Sequence, residues 1–394
     1  MLLIGCNMNL NSFFKKPALL TDSHNHNRKV GWLDLFLDLY FVVVISKLAH
    51  HIMEHPNLKG LAEFILLFVC PVWIWMLDTF YKERFETDNN YTRFNNFLLM
   101  FIISGFAIFS HHAFGKYANC YIITYIAAHL LLDIRWLQTY RHVDVFSPIA
   151  KKYLAGSFFS LSFLMAAIYI EGSTKYIFWT IALVFDHLIP LFTVKEHKKL
   201  PAYSKHRLPE RFGLFLMIIL GELVATVVNE LSQTHELRRS QFANGFLVLL
   251  IGFAFWWLYF DLIAGKGPKK KVYVTFIWSY LHIPLFIALT AGAVFLSYFV
   301  AFEPAIPAKE FIVLSALTLG CSLLLKGMIA YSTDQDLKYS KAFHQIVLGA
   351  TVIGLGIIFK NYRQEIFLLS ANICLYVFIL THIKEAWSGS PVED

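Results

Sequence analysis

Twelve apolar runs, each long enough to cross a lipid bilayer as an α-helix, follow one another along this chain. A transmembrane helix needs about 20 predominantly apolar residues, and short connectors rich in Pro, Gly, Asn or charged residues separate the runs. The runs cover residues 33–53, 60–81, 94–114, 117–140, 153–171, 176–194, 209–230, 242–264, 272–300, 309–331, 342–360 and 364–383. This pattern predicts an all-α, polytopic membrane protein with about 12 transmembrane helices.

The composition agrees with lipid as the main solvent. Of the 394 residues, 57% are hydrophobic and only 15% are charged, which is too few charges to cover a soluble globule of this size. The formal net charge of +7 does not indicate nucleic acid, because the Lys and Arg residues occur in short clusters and form no basic face. The expected partner is therefore the bilayer. The five cysteines lack Cys-x-x-Cys spacing, so neither a disulfide framework nor a zinc knuckle is indicated.

The distribution of Lys and Arg predicts the orientation of the chain. Placing the N-terminus inside gives 23 of these residues to the inner segments and 8 to the outer loops. Because positive charge favours the cytoplasmic side, both termini are predicted to be cytoplasmic. The tails then cover residues 1–29 and 385–394.

A weak internal repeat divides the twelve runs into two sets of six. Trp73 precedes Asp78 by five positions in the second run, and Trp256 precedes Asp261 by five in the eighth. Because six is an even number, the two halves would run parallel to each other. The predicted halves are residues 30–200 and 201–384.

Three stretches resemble the bacterial low temperature requirement A family. They are VGWLDLFLDLYFV from Val30 to Val42, ERFGLFLMIILGE from Glu210 to Glu222, and WWLYFD from Trp256 to Asp261. Two positions depart from the family pattern: Asp34 replaces a typical Glu, and Leu37 replaces a typical Phe. The resemblance covers nearly the whole chain and implies a multi-pass protein of the bacterial cytoplasmic (inner) membrane. It carries over no activity or mechanism.

Many ionisable residues lie within or at the ends of the apolar runs. Each one near the bilayer centre costs about 2.5 kcal/mol or more, so each is a candidate for function that needs a partner. The candidates near the cytoplasmic face are Asp34, Asp38, Asp78, Asp133, Arg135, Asp186, His187, Glu210, Arg211, Asp261 and Lys326. Asp34 and Asp38 share a helix face, and we expect Arg135, Arg211 or Lys326 to neutralise them. The set is either a structural clasp or a vestibule for an ion or solute.

Three candidates lie deeper in the membrane: Lys47, His129 and Glu222. Lys47 and Glu222 could neutralise each other or take part in charge movement, with Glu222 as the first choice for a titrating group. His129 belongs to a stripe with Tyr121, Tyr125 and Asp133, spaced four residues apart. That stripe suits either a proton relay or a polar seam between helices.

Histidines cluster on the predicted outer side. His50, His51 and His55 lie at or just after the end of the first run, and His111 and His112 lie at the end of the third. The spacing of His51 and His55 can ligate a divalent transition metal, although histidines at a membrane rim are often only interfacial residues. No other cofactor is indicated.

These features predict a transporter or channel for protons, ions or a small solute. The alternatives are an intramembrane enzyme acting on lipids, with His129 and Asp133 as acid–base groups, and a membrane sensor or scaffold. The sequence contains no phosphate-binding loop, nucleophile elbow or zinc-protease helix.

Overall fold

The computed structural model describes residues 16–20, 29–85, 89–201, 203–233, 238–301, 307–333 and 339–388, with side chains left out at 339–341 and 382–388. Twelve long helices account for most of this described chain, which contains two isolated β-bridges and no strand. The helices are α1 (Trp32–Glu54), α2 (Leu58–Arg84), α3 (Asn90–Phe109), α4 (Ala118–His142), α5 (Ser147–Tyr169), α6 (Thr174–Leu188), α7 (Arg207–Ser232), α8 (Arg239–Leu262), α9 (Val272–Ser297), α10 (Ala308–Ser332), α11 (Tyr339–Phe359) and α12 (Gln364–Ser388).

The twelve predicted helices are confirmed. Within the described residues, eleven of them, α2 to α12, are long and apolar enough to cross a membrane. The predicted N-terminal tail (1–29) and C-terminal tail (385–394) lie largely outside the described residues.

Local chemistry sets several helix ends. The side chain of Asn89 accepts a hydrogen bond of 2.8 Å from the backbone N–H of Thr92 and so caps α3. Pro148 occupies the first turn of α5, where its missing N–H costs nothing. After α6, a 3₁₀ turn at Ile189–Thr193 and a short helix at Val194–His197 extend the same span.

The chain divides into two compact units. Unit 1 contains the described residues up to Val44 together with Leu66–Leu208, and unit 2 contains Ile45–Ile65 and the described residues from Pro209 onwards. The division falls within α1 and within α2. The two six-helix halves at residues 30–200 and 201–384 stay a prediction.

In unit 2, small residues bring α10 and α11 close together. A Cβ atom added to Gly349 would lie 2.7 Å from the carbonyl oxygen of Gly320, and one added to Gly327 would lie 3.0 Å from the carbonyl oxygen of Ala342. Close backbone approach over small residues is typical of helix pairs in membranes. The same approach places Gln345 beside Gly327, with 3.3 Å between the added Cβ and the Cβ of Gln345.

Candidate functional site

Unit 1 contains a buried set of ion pairs that joins α1, α2, α4 and the start of α7. We call this set the charge network; it consists of Asp34, Asp78, Lys82, Glu83, Arg135 and Arg207. Lys82 Nζ lies 2.9 Å from Asp34 Oδ1 and 2.7 Å from Asp78 Oδ2. Arg207 bridges Asp34 and Glu83, at 2.7 Å from each.

Arg135 connects α4 to the same network. Its Nη1 lies 2.7 Å from Asp78 Oδ1, and its Nη2 donates a hydrogen bond of 3.1 Å to the side-chain oxygen of Asn96. Nearby, the indole N–H of Trp75 donates a hydrogen bond of 2.9 Å to Asp38.

Charges of opposite sign balance within the charge network. Its three carboxylates face three cations, and each of the six residues is at most 6% exposed. Removing one member would leave a buried charge without compensation, which is strongly unfavourable. This arrangement favours the interpretation of a structural clasp that holds the helices of unit 1.

Two cations pair with Asp34 that were not expected from the sequence. Asp34 pairs with Lys82 and Arg207, which the orientation count assigned to the connectors. Arg135 pairs with Asp78 instead. The ion pair between Asp78 and Lys82 does have a sequence signal, because the two residues are four apart on one helix.

The connector between α6 and α7 is held by Arg84, at the end of α2. Its guanidinium donates to the backbone carbonyl of Pro201 and lies 3.7 Å from the centre of the Tyr203 ring. Burial raises the pKa of the Tyr203 hydroxyl, and the nearby Arg84 charge opposes that shift.

A second polar set in unit 1 surrounds His129. We call it the histidine cluster; it consists of Tyr125, His129 and Asp133 on α4, Ser157 on α5 and Asp186 on α6. The ring nitrogens of His129 face opposite carboxylates, with Nε2 3.0 Å from Asp186 and Nδ1 3.2 Å from Asp133. The Tyr125 hydroxyl donates to Asp186, and the Ser157 hydroxyl donates to Asp133. Ser157 Oγ also lies 3.1 Å from His129 Nδ1.

The histidine cluster has more acidic than basic groups. Even when the imidazole is charged, two carboxylates face one cation, and Asp133 Oδ1 is buried without a hydrogen-bond donor. His129 is 3% exposed and Asp186 is 1% exposed. The imidazole and the two hydroxyls can each exchange donor and acceptor roles, so the cluster offers several positions for a proton.

Three of the four residues in the predicted stripe on α4 belong to the histidine cluster. Tyr125, His129 and Asp133 meet in the histidine cluster, whereas the Tyr121 hydroxyl donates a hydrogen bond of 2.8 Å to the backbone carbonyl of Leu67. Ser157 was missed by the sequence interpretation, because it is one of several serines in an apolar helix and no spacing distinguishes it from the others.

His187 follows Asp186 on α6, but its side chain is not part of the histidine cluster. Its ring stacks on Trp73 with 3.8 Å between the ring centroids, and its Nδ1 donates a hydrogen bond of 2.7 Å to the carbonyl of Leu183.

The other intramembrane candidates belong to unit 2. Glu222 is half-buried and accepts a hydrogen bond of 3.3 Å from the Thr226 hydroxyl, while the Lys47 side chain is exposed. These two residues form no ion pair with each other in the described structure. Asp261 is exposed and accepts a hydrogen bond of 2.8 Å from Trp257.

Three further candidates of unit 2 differ in burial. Glu210 is exposed, whereas Arg211 and Lys326 are both fully buried. Lys326 Nζ lies 5.2 Å from the centre of the Phe255 ring.

The predicted histidine sites are paired with carboxylates or with each other. His51 Nε2 lies 3.3 Å from Glu63, and the rings of His51 and His55 are 5.2 Å apart. Glu63 lies in the second predicted run, 60–81, and was not a candidate. His50 lies 3.4 Å from Glu54.

In unit 1, the rings of His111 and His112 are adjacent, with centroids 4.3 Å apart. No group of three or more His, Cys, Asp or Glu side chains within the described ranges is arranged to hold a metal ion. Metal binding by the outer histidines stays a prediction.

Comparison with known proteins places this architecture in a family. A family model described as bacterial low temperature requirement A protein (LtrA) matches residues 29–382. The chain is also 24% identical over 289 residues to an uncharacterized protein, RA0937, of Rhizobium meliloti (strain 1021), with 68% of this chain and 70% of that protein covered. No solved structure shows a significant match. The resemblance seen in the three sequence stretches is thus confirmed, and the chain belongs to the bacterial low temperature requirement A family.

Proposed function

We propose that this protein transports protons across the bacterial cytoplasmic membrane through unit 1. The observation that carries the proposal is the position of His129, whose two ring nitrogens face the carboxylates of Asp186 and Asp133 within a buried site. Intramembrane ionisable groups of this kind often mark proton relays. We also propose that the N- and C-termini are cytoplasmic. The excess of Lys and Arg in the segments that would then lie inside supports this orientation.

The imidazole ring supplies the central step. A proton taken up at Nδ1 from the Asp133 side can be released from Nε2 towards Asp186, because the two nitrogens exchange donor and acceptor roles between tautomers. The hydroxyls of Tyr125 and Ser157 extend the chain of donors and acceptors at its two ends, since a hydroxyl both donates and accepts.

The donors and acceptors of the histidine cluster cover only part of the distance across the membrane. From Tyr125 to Asp133 the helix rises about 12 Å, compared with about 30 Å for the hydrocarbon core. Arg135 of the charge network lies two residues further along α4. In this proposal, water connects these groups to the two membrane surfaces.

Purified protein in liposomes tests the proposal. A potassium diffusion potential would drive protons, and an internal pH-sensitive dye would report the initial rate. We expect faster proton movement than in protein-free liposomes, and a fall of about tenfold or more for His129→Gln, because acid–base groups typically contribute at least that much.

His142→Gln is the matched control, because His142 lies on the same helix, in its exposed last turn. It should leave the rate unchanged. Thermal unfolding and gel filtration of each variant would establish that it is folded. Proton movement equal to that of empty liposomes, or a His129→Gln rate equal to wild type, would contradict the proposal. Flux of another ion with no proton flux would also contradict it.

An intramembrane lipid hydrolase is a second candidate, favoured by one observation. Ser157 Oγ lies 3.1 Å from His129 Nδ1, and His129 Nε2 lies 3.0 Å from Asp186. This order of hydroxyl, imidazole and carboxylate is that of a nucleophile, a base and an orienting acid.

A fluorophosphonate probe, which labels activated serines, distinguishes the two candidates. Labelling that disappears in Ser157→Ala, together with lipid turnover by the wild type, would favour the hydrolase. Absence of labelling and of lipid turnover in a wild-type protein that moves protons would eliminate it.

A further inference from the structure

Five lysines of unit 1 gather at one end of the α5–α6 pair. We call them the lysine cluster; it consists of Lys151, Lys152, Lys195, Lys198 and Lys199. Lys152 on α5 joins the two segments, because its Nζ donates a hydrogen bond of 2.9 Å to the carbonyl of Phe192 and lies 2.7 Å from Glu196. Lys151 precedes Lys152 on α5, and the other three lysines lie within three residues of Glu196.

The lysine cluster carries an excess of positive charge. All five side chains are exposed, and within the described part of the chain only Lys152 among them forms an ion pair. Even if Asp144 of the preceding connector is counted with Glu196, five ammonium groups face two carboxylates. This charge balance suits an anionic partner.

The lysine cluster lies where a membrane span ends. Residues Thr174–His197 are long and apolar enough to cross a bilayer, so the lysines at the end of this span lie at the level of the lipid headgroups.

An exposed apolar face leads along the same span to the lysines. Phe185, Leu188 and Phe192 are exposed, and they are followed at the same spacing of three or four residues by Lys195 and Lys199, which are exposed as well. Phe192 is 69% exposed, although its carbonyl accepts the hydrogen bond from Lys152. Basic groups therefore lie directly beside an apolar surface, as the headgroup and the acyl chains do in a phospholipid.

We propose that the lysine cluster binds the phosphate headgroup of an anionic phospholipid whose acyl chains lie along the exposed apolar face of α6. The ammonium groups compensate the charge of the phosphate, and Phe192 and Leu188 contact the chains. Basic clusters directly beside a membrane span attract anionic lipids in this way. The site uses no residue of the histidine cluster, so it goes beyond the proposed transport of protons and stands independently of it.

Native mass spectrometry of the purified full-length protein in an uncharged detergent tests the site. Phosphatidylglycerol and phosphatidylcholine with identical acyl chains would be titrated separately, and we expect tighter binding of phosphatidylglycerol because only this lipid carries a net negative charge. Glycerol 1-phosphate, which has a phosphate but no acyl chains, should not bind over the same concentration range. Equal affinity for the two lipids would overturn the proposal, and so would binding of glycerol 1-phosphate as tight as that of phosphatidylglycerol.

A double variant, Lys195→Gln with Lys199→Gln, locates the site. It should bind phosphatidylglycerol about tenfold more weakly or less, because each lysine near the membrane surface contributes separately to the attraction. Its affinity for phosphatidylcholine should stay unchanged.

The matched control is Lys270→Gln with Lys271→Gln, which removes the same charge from two exposed lysines of unit 2, in the connector between α8 and α9. It should keep the wild-type affinity for phosphatidylglycerol. Equal losses in the two double variants would show that net charge alone governs binding and would overturn the proposal. Unchanged affinity in the first double variant would overturn it too, and thermal unfolding would establish that both are folded.

Discussion

His129 Nε2 lies 3.0 Å from the carboxylate of Asp186, and the two side chains are buried between α4 and α6. Asp133 faces the other ring nitrogen but is more exposed, with 13% of its side chain accessible. The two carboxylates therefore share one imidazole but differ in burial. This asymmetry makes the first prediction specific.

Asp186→Asn should slow proton movement in liposomes more than Asp133→Asn. The first change removes the more deeply buried counter-charge of His129 and an acceptor for Tyr125, whereas the second removes the less buried carboxylate. We expect a loss of about tenfold or more for Asp186→Asn. The pH-sensitive dye assay measures both rates, and equal rates for the two variants would show that the asymmetry has no functional role.

Lys82→Met should destabilise the protein through the charge network. The change leaves Asp34 and Asp78 without a shared cation, and breaking a buried pair costs about 3–5 kcal/mol. Lys152→Met is the control, because Lys152 pairs with Glu196 at the surface and such pairs contribute about 0–1 kcal/mol. Thermal unfolding in detergent compares the two. Similar melting temperatures for both variants would contradict the structural role of Lys82.

Gly349→Ala should loosen the α10–α11 pair. The new Cβ would lie 2.7 Å from the carbonyl oxygen of Gly320, and overpacking of this kind costs about 1–3 kcal/mol. Gly354→Ala serves as the control on the same helix, since a Cβ there meets no atom within 4 Å. A lower melting temperature is expected for Gly349→Ala alone.

The predicted orientation can be tested with single cysteines. Lys59→Cys lies in a predicted outer connector and Lys152→Cys near a predicted inner one, and both side chains are exposed. A membrane-impermeant maleimide should label Lys59→Cys in intact cells and Lys152→Cys only after permeabilisation. Wild-type protein gives the background from the native cysteines. The reverse labelling would place the termini outside.

Helix positions were predictable from the sequence because a helix that crosses the membrane needs a long run of apolar residues, and such runs are visible in the hydropathy. The run predicted at 272–300, for example, is the helix Val272–Ser297. Partners were less predictable, because they depend on how each helix is rotated and on which side chains can reach. His129 and Asp133 were found as a stripe, but the approach of Ser157 from another helix leaves no trace in sequence spacing.

Long basic side chains illustrate the same limit. Lys82 and Arg207 were assigned to connectors by their positions, yet both reach buried carboxylates of α1 and α2. The flexible stems of Lys and Arg extend several ångströms from the backbone, so a residue at a helix end can place its charge well inside the protein.

One helix, α4, carries both His129 and Arg135. These residues are six positions apart, about 9 Å along the helix axis, and they belong to the histidine cluster and the charge network, respectively. Sliding α4 by one residue, about 1.5 Å, would stretch the hydrogen bonds of both sets together. A displacement of α4 along its axis therefore acts on the His129–Asp186 contact and on the Arg135–Asp78 ion pair at the same time.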